Sequence, residues 1–409
     1  MLKHGCGVCF MAAFPSSSLI FLRPRTLRHL IVLRTAAQGR GPAVLALFPN
    51  LPREASMTQA YLQRIATAVP DNDIHQSFVD FAATMLADER ARSIFQRLVA
   101  KSAILHRFSC LRKEQGGSGF AVDANTFYAG GRFPTTAERM RVFEAAAPLL
   151  VRRALDRLAL SDAERSRIRH VFVTCCTGFY APGLDFHILE HLSLPDSTER
   201  TMVGFMGCYA AMNALKLARH FVRSQPEATA LVVNLELCTL HFHESQDLSE
   251  VLAFLLFGDG CAATLVGSEP HGLAMENFDA LRIEDSAGLI TWRIGDAGFD
   301  MVLSTQIPTR IARAMRENGR RVTGDEPVDV WAVHPGGRAI LDAVEDGLSL
   351  DPQALRVSRC ILSRFGNMSS ATVMFVLEQL MREMSTGQRG CALSFGPGVT
   401  AEIMRFHAA

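Results

Sequence analysis

Short apolar segments alternate along the chain with stretches whose apolar residues recur every three to four positions. The apolar segments predict buried strands at HVFVTCC (170–176), RTMVGFM (200–206), TALVVNLEL (229–237), CAATLVG (261–267), VDVWAV (328–333) and CALSF (391–395). The periodic stretches predict helices at 80–104, 136–159, 209–224, 309–319, 337–347 and 369–386. Strands this apolar are typical of sheets that carry helices on both faces, so the pattern predicts an α/β fold.

The first 56 residues differ in composition from the rest of the chain. They contain several basic residues but no Asp or Glu before Glu54. This composition resembles an organellar transit peptide, and a translation start at Met57 is the alternative explanation. In either case we expect no packed structure in 1–56. No uninterrupted apolar stretch reaches the roughly 18 residues of a membrane-spanning helix, so none is expected.

Composition narrows the possible functions. Hydrophobic residues make up 48% of the chain and charged residues 20%, which allows a large core. Lys and Arg total 42 and Asp and Glu total 41, so nothing predicts nucleic acid or an acidic membrane as partner. The ten cysteines have no metal-ligand spacing outside the leader, and most stand in apolar segments. We therefore expect no metal site, and reduced thiols in a cytoplasmic protein.

One cysteine has a setting that favours reactivity. In TMVGFMGCYAAMNALKLARHFV (201–222), an apolar strand runs into Gly207 and Cys208, and a helical pattern follows. This order predicts Cys208 at a helix N-terminus, where the helix dipole favours the nucleophilic thiolate. Gly207 permits the sharp turn between strand and helix. The alternative is that Cys208 simply fills space in the core.

A histidine and an asparagine have settings that suit acyl chemistry. His334 ends the strand VDVWAV and precedes Pro-Gly-Gly, so it faces the edge where sites form in α/β proteins. Asn367 lies in GNMSS, just before a helical pattern. A thiolate nucleophile needs a partner, and acyl transfer needs donors for an oxyanion. Taken singly, His334 is also compatible with a hydrogen-bonded core histidine and Asn367 with a helix cap.

The three segments occur in the order Cys, His, Asn and are followed by SFGPGVTAE (394–402). This combination resembles the thiolase superfamily and, within it, the chalcone synthase-like type III polyketide synthases, over roughly 60–407. The resemblance implies a thiolase-like fold of two similar αβαβα halves, at 57–270 and 271–409, after a leader at 1–56. It also implies a homodimer, although Ala181 replaces a methionine that reaches into the partner subunit in plant enzymes.

The chemistry implied by the resemblance is that of an acyltransferase. Cys208 would take a starter acyl group from an acyl-CoA, and malonyl-CoA would then lose CO2 and attack the thioester. His334 and Asn367 would hold the thioester oxygen and stabilise the enolate, and His334 would also pair with the thiolate. The CoA thioesters would be substrates, and no cofactor is expected.

The resemblance also implies a set of substrate-binding residues. Phe257, in LLFGDG, matches a gatekeeper phenylalanine, and Met301 replaces a second one. Arg97 and Lys101, one helical turn apart, would bind the CoA phosphates, while a third basic position of the family falls on Ile94. The remaining cavity positions are Cys176, Thr177, His241, Trp292 and Ser369.

The starter expected from these residues is aliphatic. Trp292 and His241 are bulkier than their counterparts in plant chalcone synthase, and TWRIGDAGF resembles the bacterial branch of the family. A large Trp292 would shrink one side of the cavity and disfavour a coumaroyl-type aromatic product. We therefore expect a fatty acyl starter and an alkylpyrone or alkylresorcinol-type product.

Three other functions remain open at this stage. The first is a ketoacyl synthase III-like enzyme, which shares the Cys-His-Asn set but performs one condensation with acyl carrier protein. Phe257 before GDG, GNMSS and the FGPG segment favour the polyketide synthase. The second is a non-catalytic CoA- or lipid-binding homologue, and the third is a metal-binding protein, which no ligand spacing supports.

Overall fold

The computed structural model describes residues 58–111, 127–128, 133–253 and 255–409, so the predicted leader at 1–56 lies outside the described residues. The strands within these ranges are β1 (Tyr61–Ala68), β2 (Asn72–Asp73), β3 (Phe108–Ser109), β4 (Ile168–Cys175), β5 (Glu199–Gly204), β6 (Thr229–Leu237), β7 (Asp259–Gly267), β8 (Leu273–Arg282), β9 (Ile290–Gly295), β10 (Gly298–Leu303), β11 (Val330–Val333), β12 (Arg389–Gly396) and β13 (Thr400–Ala408).

The helices of the same ranges are α1 (His75–Met85), α2 (Glu89–Ser102), α3 (Thr136–Leu158), α4 (Asp162–Arg167), α5 (Leu184–Leu192), α6 (Ala210–Ser224), α7 (Leu248–Ala253), α8 (Ile307–Thr323), α9 (Arg338–Leu348), α10 (Arg356–Phe365) and α11 (Thr372–Glu383). Single turns of 3-10 helix lie at Gly207–Tyr209, Cys238–His241, Ser369–Ala371 and Pro397–Val399. Within the described ranges, no helix has both the length and the apolar character required to cross a bilayer.

The largest sheet has nine strands in the order β5-β4-β6-β7-β1-β8-β13-β12-β11. In the N-terminal half, β1 is antiparallel to β7, β7 to β6, and β6 is parallel to β4. In the C-terminal half, β8 is antiparallel to β13, β13 to β12, and β12 is parallel to β11. The two halves therefore repeat one strand pattern, and they meet where two residues of β1 pair with two residues of β8.

The two halves enclose a shared helical layer. On β6, Leu231 and Val233 pack with α3 and α5, whereas Val232 on the opposite face packs with α6 and α11. On β12, Leu393 packs with α8 and α9, whereas Ala392 packs with α6 and α11. The layers therefore run outer helices, sheet, α6 and α11, sheet, outer helices. This arrangement confirms the predicted thiolase-like fold, in which two similar α/β halves pack together as αβαβα.

The predicted strands and most predicted helices are present, but one helix was predicted wrongly. The stretch 80–104 is divided between α1 and α2, because Leu86 is extended and Asp88 caps α2 by accepting from the N–H groups of Arg90 and Ala91. The apolar pattern also did not predict β1, β8, β13 or the β9–β10 hairpin. These strands mix polar with apolar residues, and the apolar-run criterion did not detect them.

Helices α8 and α9 pack closely through a glycine. A Cβ atom on Gly347 in α9 would lie 2.6 Å from the carbonyl oxygen of Ala312 and 2.7 Å from Cβ of Met315. Gly319, in α8, has a different environment, because its nearest neighbour would be Cδ2 of Leu348 at 3.7 Å. Both positions lie within helices, although Gly319 follows Asn318, whose φ of −121° interrupts α8, and the two differ in the space available.

Alanine should therefore have opposite effects at these two glycines. We expect Gly347→Ala to lower the free energy of unfolding by about 1–3 kcal/mol, because α8 and α9 must separate. Gly319→Ala should raise it by up to about 1 kcal/mol, because alanine favours the helix. Urea unfolding followed by far-UV circular dichroism measures both changes. Equal stabilisation by the two substitutions would contradict the close packing of α8 on α9.

Candidate active site

Cys208 lies in a strained turn between β5 and α6. Phe205 has φ of +56° and Gly207 has φ of +72°, and the 3-10 turn Gly207–Tyr209 precedes the first residue of α6. A Cβ atom on Gly207 would overlap the side chain of Pro397 from the C-terminal half. Glycine is therefore required here both by the backbone and by the neighbouring loop. Cys208 stands two residues before α6 rather than in its first turn.

His334 continues the pairing of β11 with β12. Its N–H group donates to the carbonyl oxygen of Leu393 at 2.7 Å. The side chain is only 1% exposed, yet within the described residues neither ring nitrogen has a hydrogen-bond partner. Leaving a buried polar group without a partner costs about 1–3 kcal/mol. The imidazole is thus free to bond a molecule that enters the site.

The backbone of Asn367 forms an isolated parallel bridge with Phe257. The N–H group of Asn367 donates to the carbonyl oxygen of Leu256 at 2.7 Å, and its own carbonyl accepts from Gly258 at 3.0 Å. This bridge joins the C-terminal half, which carries Asn367, to the N-terminal half, which carries Phe257.

The side chain of Asn367 is oriented by its neighbours. Its amide oxygen accepts from the N–H of Ser369 at 2.9 Å and from the hydroxyl of Thr372 at 3.4 Å. The amide nitrogen is 3.4 Å from the carbonyl oxygen of Gly336, two residues after His334. Because the oxygen is already used, Asn367 presents its donor end toward the side of the site that holds His334.

Arg107 supports this backbone bridge through its side chain. Its role was not predicted from the sequence. It is fully buried, its Nη1 donates to the carbonyl oxygen of Phe257 at 2.9 Å, and its Nε donates to Nδ1 of His75 at 2.9 Å. A Cβ atom on Gly366 would lie 2.8 Å from Cγ of Arg107, so the chain before Asn367 rests on this side chain. Burial lowers the pKa of Arg107 to about 9, which leaves it charged at neutral pH.

One cavity of about 450 Å³ brings the predicted residues together. The three catalytic candidates Cys208, His334 and Asn367 line it. The predicted pocket residues Phe257, Met301, Cys176, Thr177, His241, Trp292 and Ser369 line it as well. Arg97 and Lys101 do not; they are exposed on α2.

Aromatic side chains form one wall of this cavity. The indole Nε1 of Trp292 donates to the carbonyl oxygen of Cys176 at 2.7 Å. The ring of His241 stacks on Phe299 with centroids 4.2 Å apart, and its Nε2 donates to the carbonyl oxygen of Thr177 at 2.6 Å. Its Nδ1 accepts from the N–H of Phe299 at 3.2 Å, and burial lowers the pKa of His241 to about 3. His241 is therefore a neutral part of the wall, with both nitrogens occupied.

A buried glutamate, also missed by the sequence analysis, lies behind this wall. Glu236 accepts from the N–H of Cys176 at 3.0 Å, from the hydroxyl of Thr177 at 2.9 Å and from the hydroxyl of Ser370 at 2.6 Å. Burial raises the pKa of Glu236 to about 7. The detectable signal was a lone carboxylate in the apolar strand TALVVNLEL.

Burial disfavours charge on both Cys208 and His334. It raises the pKa of Cys208 to about 11, although the hydroxyl of Ser369, 3.7 Å from Sγ, and the amide of Asn367 oppose the shift. The charge of Glu236 raises this pKa further. Burial lowers the pKa of His334 to about 3. Each group alone is neutral at pH 7, so the paired thiolate and imidazolium stay a prediction that depends on their mutual attraction.

The arrangement suits thioester chemistry on a sulfur nucleophile. Cys208 supplies the sulfur, while Asn367 and His334 supply nitrogen groups for an oxygen that gains negative charge. Within the described ranges, no group of three or more His, Cys, Asp or Glu side chains is arranged to hold a metal ion.

Comparison with known proteins gives a consistent result along the chain. Residues 51–270 match the family described as chalcone and stilbene synthases, N-terminal domain, and residues 277–409 match the C-terminal domain of the same family. The alpha-pyrone synthesis polyketide synthase-like protein Pks18 of Mycobacterium tuberculosis is 33% identical over 381 residues, which cover 87% of this chain and 93% of Pks18.

Two solved structures share the fold. PKS-I from the brown alga Ectocarpus siliculosus has a TM-score of 0.77 and 28% identity, covering 87% of this chain and 100% of that one. The C-terminal type III polyketide synthase domain of Steely1 from Dictyostelium has a TM-score of 0.75 and 23% identity, covering 86% of this chain and 99% of that one. At 23% identity the second structure supports the fold alone.

Alkylation tests the pairing of Cys208 with His334. Because burial keeps each group neutral alone, a thiolate at neutral pH requires the positive charge of the imidazolium. We expect Cys208 to react with iodoacetamide with an apparent pKa below the usual value of about 8.5. His334→Gln should raise this apparent pKa by at least about 1 unit. Peptide mass spectrometry resolves the exposed Cys360 as an internal control. Identical pH profiles in the two proteins would contradict the pair.

Proposed function

Because the chain belongs to the chalcone and stilbene synthase family, we propose that this type III polyketide synthase extends a fatty acyl-CoA starter with malonyl-CoA on Cys208 and releases an alkyl α-pyrone. The observation that carries the proposal is the cavity in which Cys208, His334 and Asn367 meet. The relative Pks18, which is named for alpha-pyrone synthesis, supports the class of product. The family match favours this function over the single-condensation ketoacyl synthase that the sequence left open.

In the loading step, the sulfur of Cys208 attacks the carbonyl carbon of the acyl-CoA. The new C–S bond forms, the bond to the CoA sulfur breaks, and the thiol proton passes through His334 to the departing CoA thiolate. The Asn367 amide, whose donor end faces the side of the site that holds His334, suits the oxyanion of the tetrahedral intermediate.

In the extension step, malonyl-CoA loses CO2 and the electron pair remains as an enolate. Asn367 and His334 donate to the enolate oxygen, the enolate carbon attacks the Cys208 thioester, and the cysteine sulfur leaves. Burial lowers the pKa of His334 to about 3, so the free ring is neutral. A neutral donor stabilises the enolate without readily protonating its carbon. The lengthened chain returns to Cys208 for the next cycle, and we expect no cofactor besides the CoA thioesters.

The lining of the cavity supports an aliphatic starter. Apolar side chains around Met301 extend the cavity between the β9–β10 hairpin and helices α8 and α9; they are Ile290, Leu303, Ile307 and Ile340. The hydrogen bond from Trp292 to the carbonyl of Cys176 fixes the indole against the opposite wall. A flexible alkyl chain fits such a space better than a rigid coumaroyl group, and an alkylresorcinol is the alternative product.

A homodimer is also part of the proposal. Strand β5 is an edge strand of the large sheet. Exposed apolar side chains lie on it and on the neighbouring segment that includes α5, namely Met202, Phe179 and Phe186. An edge strand with an apolar surface favours pairing with a second copy.

The eight cysteines of the described residues are free thiols, which supports the predicted cytoplasmic location.

Product analysis tests the proposed function. The full chain is incubated with malonyl-CoA and acyl-CoA starters from acetyl to long-chain, with Cys208→Ala as control, and products are identified by mass spectrometry. We expect triketide or tetraketide pyrones, with long-chain starters preferred and no product from Cys208→Ala. A single β-ketoacyl product would contradict the iterative reaction, and preference for acetyl-CoA would contradict the fatty acyl starter.

The role of Asn367 is tested by replacing its amide with a carboxylate. Asn367→Asp keeps the shape but loses the amide donor and adds negative charge beside the enolate. We expect decarboxylation of malonyl-CoA to fall by at least about 10²-fold, with starter loading on Cys208 retained. Release of CO2 and the mass of the intact acyl-enzyme measure the two steps. Asn277→Asp, exposed on β8, is the matched control, and unchanged decarboxylation in Asn367→Asp would remove Asn367 from this role.

A further inference from the structure

Arg338 is the first residue of α9 and stands at the edge of the cavity. Gly336, two positions before it, and Ile340, two positions after it, line the cavity. Gly337, between His334 and α9, has φ of +149° and turns the chain away from β11. The Arg338 side chain is 54% exposed, so its charge lies at the protein surface.

The guanidinium of Arg338 reaches the end of α2. Its Nη1 donates to the carbonyl oxygen of Lys101 at 3.3 Å, across 237 positions of sequence. Lys101 and Arg97 lie on the same face of α2, one turn apart. Among the described residues, neither Arg97 nor Lys101 has a carboxylate within 4.0 Å. Arg338 therefore adds a third cation near the end of α2, and among the described residues it alone of the three has a carboxylate, that of Asp342, within 4.0 Å.

The ion pair of Arg338 with Asp342 is weak. Its Nε is 3.6 Å from Oδ2 of Asp342, while Oδ1 of the same carboxylate is 2.7 Å from Nη1 of Arg359. Arg359 also pairs with Glu345 at 2.8 Å. Because Asp342 is shared and a guanidinium has five N–H donors, Arg338 retains donors for an anion.

We propose that Arg338 is a substrate-binding residue that contacts a phosphate of the CoA moiety, together with Lys101 and Arg97. This inference rests on the proposed function, because it assumes CoA thioesters as substrates. A planar guanidinium binds phosphate through two parallel hydrogen bonds, which the compact ammonium of lysine does not provide. Arg338 thus supplies, from the C-terminal half, the third cation that Ile94 does not provide on α2.

A purely structural role for Arg338 predicts a different result. The bond to the Lys101 carbonyl satisfies a backbone acceptor at the end of α2, and its loss alone would change stability or the alignment of α2. Such a change would affect all thioester substrates equally. A phosphate contact affects only substrates that carry the phosphates, and it weakens as salt increases.

Steady-state kinetics with two extender substrates separates these roles. Arg338→Ala should raise the KM for malonyl-CoA about 10-fold and leave kcat within about twofold. With malonyl-N-acetylcysteamine, which has the thioester but no phosphate, the variant should match the wild type. Arg338→Lys should recover part of the loss. Arg313→Ala, which removes an exposed, ion-paired arginine of α8, is the matched control and should change neither KM. Equal effects on both substrates would overturn the proposal.

Measuring the binding of CoA directly tests the inference without relying on catalytic turnover. Calorimetric titration with CoA, dephospho-CoA and pantetheine measures the contribution of each phosphate group in the wild type and in Arg338→Ala. An affinity loss seen with CoA but not with dephospho-CoA assigns Arg338 to the 3′-phosphate, and a loss with both assigns it to the diphosphate. No difference between the two proteins for CoA overturns the inference. Absence of polyketide from the wild type, with CoA binding retained, would instead contradict the proposed function.

Discussion

The active site depends on the backbone bridge between Phe257 and Asn367. One partner belongs to the N-terminal half and the other to the C-terminal half, and two hydrogen bonds hold them in register. Arg107 donates a hydrogen bond to the carbonyl oxygen of Phe257, and the absence of a side chain at Gly366 leaves room for the Arg107 side chain. Neither half alone contains both the sulfur of Cys208 and the amide of Asn367. Docking of the halves therefore creates the site, and the buried Arg107 supports it by holding the carbonyl of Phe257 and lying against Gly366.

The polar groups around the cavity differ in how far the protein itself satisfies them. Both nitrogens of His241 are engaged, and the amide oxygen of Asn367 is engaged while its nitrogen makes a long contact with the carbonyl oxygen of Gly336. Within the described residues, His334 has no hydrogen-bond partner for either ring nitrogen. Hydrogen bonds that the fold leaves unmade are available to a substrate, and their formation offsets the cost of burial. The imidazole of His334, which lacks hydrogen-bond partners within the described residues, thus marks the reacting centre, whereas His241 forms part of the cavity wall.

Much of the fold followed from local pattern, but not all of it. Strands β6 and β7 are buried along their whole length, so their composition alone predicted them. Strands β8 and β13 have polar residues among apolar ones, and their place depends on partners far away in sequence. The short break at Leu86 and Asp88 interrupts a helical pattern without a glycine or proline, so periodicity did not reveal it.

The same distinction applies to the site. Cys208, His334 and Asn367 stand in short motifs, and the cavity brings them together. Arg107 and Arg338 were not identified from a motif, and their contacts with Phe257 and Lys101 span 150 and 237 positions of sequence. Glu236 was visible only as a charge in an apolar strand, and its partner Ser370 lies 134 positions away. Sequence motifs identify catalytic candidates by the residues next to them in the chain. Residues that support the site through contacts with distant parts of the chain are identified only from the three-dimensional structure.

The β9–β10 hairpin forms a two-stranded sheet of its own, separate from the nine-stranded sheet. It contributes Trp292 and Met301 to the cavity, and within the described residues its strands exchange ladder hydrogen bonds with each other alone. Substitutions that change the product can therefore occur at positions other than those that determine folding. Side chains of the hairpin can diversify while the sheet that supports the nucleophile stays constant. Such a separation gives the protein capacity to evolve new products without first losing its fold.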